Sequence, residues 1–150
     1  MRLAIKPVLT ALLLASLSLS AQEKGAWRAA SNSAKTITGD VALADEKILI
    51  NNFYAFTMVR VRNLEAAETS SVFGPDNNGI GGLYRVDIPA TQKFQHKNPL
   101  CGTDETHWMA AFASGRSLQL AFFSSQNPPV FTPDAIANSP DLCGTFSYAR

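Results

Sequence analysis

A chain of 150 residues, 46% hydrophobic and 17% charged, holds one domain with one core and is too short for two. Thirteen Lys and Arg against 12 Asp and Glu give a net charge of +1, and no basic run interleaves with aromatics, which excludes nucleic acid and anionic membrane as main partners. His96 and His107 are distant from each other and from Cys101 and Cys143, so the short ligand pairs of a structural zinc site are missing, and neither metal nor other cofactor is expected.

Met1-Arg2 and Lys6, the apolar run Val8–Ala15 and the small polar stretch Ser16–Ala21 have the form of a secretory signal peptide over residues 1–20, cleaved after Ser20 or Ala21. The run is too short for a membrane span, and no cysteine follows it to take a lipid anchor. Removing it takes Arg2 and Lys6 away and brings the charge to −1. The expected location is the bacterial periplasm or the extracellular medium.

Residues 21–34 read as a loose N-terminal arm, and 35–150 as a single β domain. Lys35–Leu43 alternates with Ile37, Gly39, Val41 and Leu43 on one side, and forms a hairpin with Ile48–Ile50. Tyr54–Val61 is a strand with Arg60 and Arg62 on the face of Phe56 and Met58. Asn63–Ser71 lacks an apolar face and is expected to be a loop with one helical turn, and residues 73–82 are dense in turn formers. Leu83–Ile88 sets Tyr84, Val86 and Ile88 against Arg85 and Asp87, the pattern of a half-buried strand. His107–Ala113 and Leu118–Phe123 form a hairpin, with Trp108, Ala110 and Phe112 expected to meet Leu118, Leu120 and Phe122 across one core. Thr132-Pro133 starts a short helix, and Thr145–Tyr148 is the closing strand. About seven short strands with short connections predict an all-β fold: a small antiparallel barrel or strongly curved sheet with one short helix and one disulfide.

Export, an even cysteine count and the repeated Leu-Cys-Gly at 100–102 and 142–144 predict that Cys101 and Cys143 are bonded. The link closes 42 positions and stabilises by about 4 kcal/mol on the loop-entropy estimate.

Asp104, Glu105 and His107 form the densest group of reactive side chains. A histidine beside carboxylates suits a general base, but no nucleophile or metal signature accompanies it, and no residue is assigned as catalytic. Residues 76–82 match neither a calcium loop nor a phosphate loop. The expected function is a non-catalytic binding module for a small apolar ligand or a protein partner. An envelope structural or interaction protein, and a hydrolytic enzyme using His107 with Asp104 or Glu105, are the alternatives. The expected binding residues are Asp104, Glu105, His107, Trp108 and Tyr148, on loops the disulfide would fix. Against this stands the reading that Trp108 and Tyr148 face the core while the acids are solvated, with the glycine-rich loop 74–82 as the other place for a site.

Ile37-Thr38-Gly39-Asp40, Leu83–Val86, Leu100-Cys101-Gly102 and the ending Leu-Cys-Gly-Thr-Phe-Ser-Tyr together resemble a family of small exported proteobacterial proteins to which no activity is assigned. Gly25-Ala26-Trp27 is similar to the G-x-W that opens lipocalins and the bacterial metalloprotease inhibitors of the calycin group, which implies a β-barrel.

Overall fold

The computed structural model describes residues 22–150, so the expected leader lies outside the described residues. Eight antiparallel strands close in chain order: β1 (Gly25–Ala29), β2 (Val41–Ala44), β3 (Lys47–Ile50), β4 (Tyr54–Leu64), β5 (Gly81–Ile88), β6 (Thr106–Ser114), β7 (Ser117–Phe123) and β8 (Leu142–Ala149). The fold is thus all-β, a small closed barrel. Its eighth strand is β1, in the stretch read from sequence as a loose arm. β1 is legible only by what surrounds it: residues 25–27 pair with β2, residues 28–29 pair with β8, and Trp27 is buried in the interior.

Alternation supplies the lumen. Trp27, Leu43, Ile48, Ile50, Met58, Tyr84, Val86, Met109, Leu120, Phe122, Phe146 and Tyr148 join one buried cluster. An eight-stranded barrel is about wide enough for such side chains to fill it. Lys35–Gly39 does not extend β2. Ala34–Thr38 makes a π-helical turn in which Gly39 N–H donates to Ala34 O at 2.7 Å, and Gly39 at φ 61° turns the chain into the strand. The alternation of Ile37 and Gly39 with Val41 is therefore no strand signal. Thr38 instead lies in the interior, its Oγ1 2.7 Å from the Tyr148 hydroxyl.

Two departures from the expected faces have local causes. The loop Gly115-Arg116 has only two residues, with Gly115 at φ 58°, so Ser114 pairs with Ser117. That register sets Trp108 opposite Phe123 and Ala110 opposite Ala121, while Met109, Ala111 and Ala113 face Phe122, Leu120 and Leu118. Trp108, Ala110 and Phe112 thus do not share a core with Leu118, Leu120 and Phe122. They lie on the outer face of the wall. On β4 a bulge between Arg60 and Arg62 reverses the parity. Arg60 keeps to the Tyr84 side, whereas Arg62 pairs with Leu83 and lies over the Phe131 ring at 5.8 Å.

The outer face of β4–β7 therefore carries a second apolar layer: Leu64, Leu83, Trp108, Ala110, Ala121 and Phe123, covered by Phe131 and Ile136 and flanked by Val72 and Phe73. The cover comes from α1 (Ala66–Phe73), α2 (Pro133–Ala137) and Phe131 in the segment just before α2. α1 replaces the expected loop; Glu68 accepts from Glu65 N at 3.1 Å and holds Arg62 at 2.8 Å, which fixes its first turn. α2 starts as read, with Thr132 Oγ1 accepting from Ala135 N at 3.3 Å and proline in the first turn. Cys101 and Cys143 are bonded. No helix among the described residues is long and apolar enough to cross a membrane.

Candidate functional site

The disulfide ties the turn that precedes β6 to the first residues of β8. Asp104 N–H donates to Cys101 O at 3.0 Å, closing the turn, and Thr106 Oγ1 donates to Cys101 Sγ at 3.0 Å. β6 therefore leaves a fixed point, and His107 is its second residue. Across from it β5 is irregular: Arg85 pairs with Trp108 and Ile88 with Thr106, leaving two residues of β5 opposite His107 alone. That bulge brings Arg85, Asp87 and His107 together.

The imidazole is buried but its neighbours are not. Nδ1 lies 3.3 Å from Arg85 Nη2 and 3.4 Å from Asp87 Oδ1. Nε2 lies 3.5 Å from Gln126 Nε2 and 3.6 Å from Glu105 Oε2. Arg85 Nη2 also holds Asp87 Oδ1 at 3.1 Å, and its guanidinium lies 5.1 Å over the Trp108 ring. Trp108 Nε1 donates to Ser125 O at 3.1 Å. The result is a histidine set between two exposed carboxylates, backed by a cation stacked on an indole. Beside it is a shallow recess of about 120 Å³ lined by Asp87, Ile88, Pro89 and Glu105.

Of the five residues read from sequence, Glu105 and His107 meet directly and Trp108 joins them through Arg85. Asp104 remains exposed in the turn and is not among the hydrogen-bond partners of His107. Tyr148 lies on the other side of the wall, in the lumen, where burial raises its pKa. Arg85, Asp87 and Gln126 are missing from that set, although the sequence also groups Arg85 with Tyr84, Tyr148 and Arg150 as surface arginines and aromatics suited to line a ligand-binding mouth. The signal for the first two was the outward face of 83–88, which needed only the pairing of Arg85 with Trp108 to locate. The hydrogen-bond partners of His107 among the described residues are Arg85, Asp87 and Gln126, none of which is a hydroxyl or thiol that it would activate. No group of three or more His, Cys, Asp or Glu among the described residues is placed to hold a metal ion. In the loop 74–82 Gly79 rests so closely on the Phe112 ring that a Cβ there would come within 2.6 Å of it.

A second polar group, also unread in the sequence, is built into the wall. The Glu23 carboxylate accepts from the Tyr84 hydroxyl, Arg60 Nη1 donates to that hydroxyl at 2.6 Å, and Trp27 Nε1 donates to Glu23 O at 2.9 Å. Burial raises the Glu23 pKa, against the opposing pull of Tyr84 and Arg60. This cluster anchors the chain ahead of β1. No protein-family model, curated protein or solved structure matches the chain.

Proposed function

We propose that the protein is an exported, non-catalytic binding module that engages a protein partner on its outer wall, at the group formed by Arg85, Asp87, Glu105, His107 and Trp108. The observation that carries this reading is the contrast between the two sides of the wall. The lumen holds the protein's own large side chains, among them Trp27, Phe122, Phe146 and Tyr148, which supports surface recognition over carriage of an apolar ligand. Outside, charges of both signs lie over a buried indole, on β5, β6 and the turn before β6, pinned by the disulfide and a bulge, so little ordering is left to be done at binding. The closed barrel, with Trp27 of the Gly25-Ala26-Trp27 segment inside it, supports the resemblance to the calycin group.

The test is native mass spectrometry of the protein purified from its own host, repeated with a His107→Ala/Glu105→Ala variant whose folding is verified by thermal melting. A protein-sized mass increment that the variant loses is the expected result. A retained small molecule would instead favour a ligand carrier, and an increment unchanged by the variant would move the site elsewhere.

A further inference from the structure

The outer side of the β1/β8 seam holds an open cleft of about 670 Å³ lined by Ala26, Arg28, Asp40, Asn52, Arg116 and Arg150, with Trp27 and Ala149. Six arginines fall within the described residues, and they divide sharply. Arg60, Arg62 and Arg85 each have a carboxylate partner, Glu23, Glu68 and Asp87, at 3.4, 2.8 and 3.1 Å. Arg28, Arg116 and Arg150 have no ion-pair partner among the described residues, and these three line the one cleft. Asp40 lines it too, but its Oδ1 accepts from Ala29 N at 2.9 Å and pairs with no guanidinium.

The three guanidiniums are not equally committed. Arg150 lies 4.0 Å over the Trp27 ring and donates to Lys24 O at 2.8 Å and Gln22 O at 3.1 Å, bonds that tie the chain ahead of β1. Arg116 gives its Nε–H to Arg150 O at 2.6 Å, and its two Nη groups have no hydrogen-bond partner among the described residues. The Arg28 side chain has no hydrogen-bond partner among the described residues. A guanidinium fork matches the oxygen pairs of phosphate and carboxylate, and charge-assisted bonds to it are about twice as strong as neutral ones. Three such guanidiniums against one side-chain carboxylate, Asp40, leave a surplus of positive side-chain charge in the concave space they share with Ala26, Trp27, Asn52 and Ala149.

We propose that this cleft is a binding site for a small, multiply charged oxyanion of the phosphate class, held by Arg28 and Arg116, with Arg150 as a fixed positive wall and Asn52 at the rim. The site is separate from the His107 face, and its fate does not depend on that reading.

Titration of the labelled protein with sodium pyrophosphate at low ionic strength, followed by ¹H–¹⁵N NMR with matched sodium chloride as control, tests it. Saturable shifts at the Nε–H groups of Arg28 and Arg116 and at the amides of Asn52 and Ala149 are expected. Arg28→Gln and Arg116→Gln should each weaken binding by roughly tenfold. Both side chains are exposed, Arg28 making no side-chain hydrogen bond among the described residues and Arg116 one, to Arg150 O, and thermal melting of each variant verifies the fold. Orthophosphate binding more weakly than pyrophosphate would support a multiply charged ligand. Shifts reproduced by chloride, shifts centred outside the cleft, or undiminished binding to the double variant would overturn the proposal.

Discussion

Phe122 and Phe123 are adjacent in sequence, both are fully buried, and they point to opposite sides of the barrel wall. In a sheet with one core, one of two successive residues faces solvent and its truncation costs within about 0.5 kcal/mol. Here Phe122 packs edge-on to Phe146 at 5.6 Å in the lumen, and Phe123 edge-on to Phe131 at 5.8 Å beneath the outer cover. Replacing either by alanine removes a fully buried ring and leaves a cavity, a loss of about 3–5 kcal/mol, part of it the aromatic pair at about 0.5–1.5 kcal/mol. At roughly 4 °C per kcal/mol for a domain of this size, each variant should melt about 12–20 °C below the parent. Urea denaturation gives the free energies. Hydrogen exchange separates the sites: Phe123→Ala should expose the Ala135 and Ile136 amides of α2 through local opening, whereas Phe122→Ala should lower protection across all strands together. A loss below about 1 kcal/mol for Phe123→Ala, beside several for Phe122→Ala, would refute the outer core.

Reducing Cys101–Cys143, or replacing both cysteines with alanine, should lower unfolding free energy by about 4 kcal/mol for the 42-residue loop, read from urea midpoints with and without reductant. Because burial raises the Glu23 pKa above its unfolded value, its favourable contribution is present below about pH 4.5 and is lost as pH rises through the folded pKa. Glu23→Gln should therefore gain on the parent as pH rises from about 4 to 8, and a flat or falling difference in denaturation free energy would contradict the assignment. Gly81→Ala would put a Cβ 2.7 Å from Ala111 O, a backbone atom that cannot step aside, and should cost about 1–3 kcal/mol by thermal melting. Tyr148→Phe removes one buried hydrogen bond, to Thr38, and should cost about 1 kcal/mol in the same assay.

What could be read from the sequence depended on how many faces of a strand are buried. Leu83–Ile88 was legible because Arg85 and Asp87 contrast with Tyr84, Val86 and Ile88. β6 was legible as a strand but its inward face was not, because Thr106–Ala113 is buried on both faces, and Trp108-Ala110-Phe112 reads no differently from Met109-Ala111-Ala113 without the register of the Gly115-Arg116 turn. β1 escaped because four of its five residues are exposed or half-buried, leaving Trp27 as its only core residue. α1 escaped because its apolar contribution is confined to Val72 and Phe73 at its end. In the candidate site, Glu105 and His107 were found because they are neighbours in the chain. Arg85 and Asp87 required strand pairing, and Gln126 a loop path that no local pattern encodes. Tyr148 was grouped with them because the proximity of Cys143 says nothing about which side of β8 a residue takes.

The seam where Arg28 meets Ala149 joins residues 121 positions apart, the longest-range pairing in the sheet, and it also closes the barrel. Every other neighbouring pair of strands is consecutive in the chain and assembles through shorter loops, so the entropy of closure falls on one late step. The two ends of the described chain already lie side by side, with Arg150 donating to Gln22 O and Lys24 O. A chain joined from Arg150 to Gln22 by a short linker, and opened in the exposed segment around Pro75-Asp76, would keep every strand pairing while making the seam a local connection. In such a permutant the slow long-range search moves from the β1/β8 seam to the β4/β5 pairing, so sealing the barrel and ordering of the chain ahead of β1 would no longer be the same event.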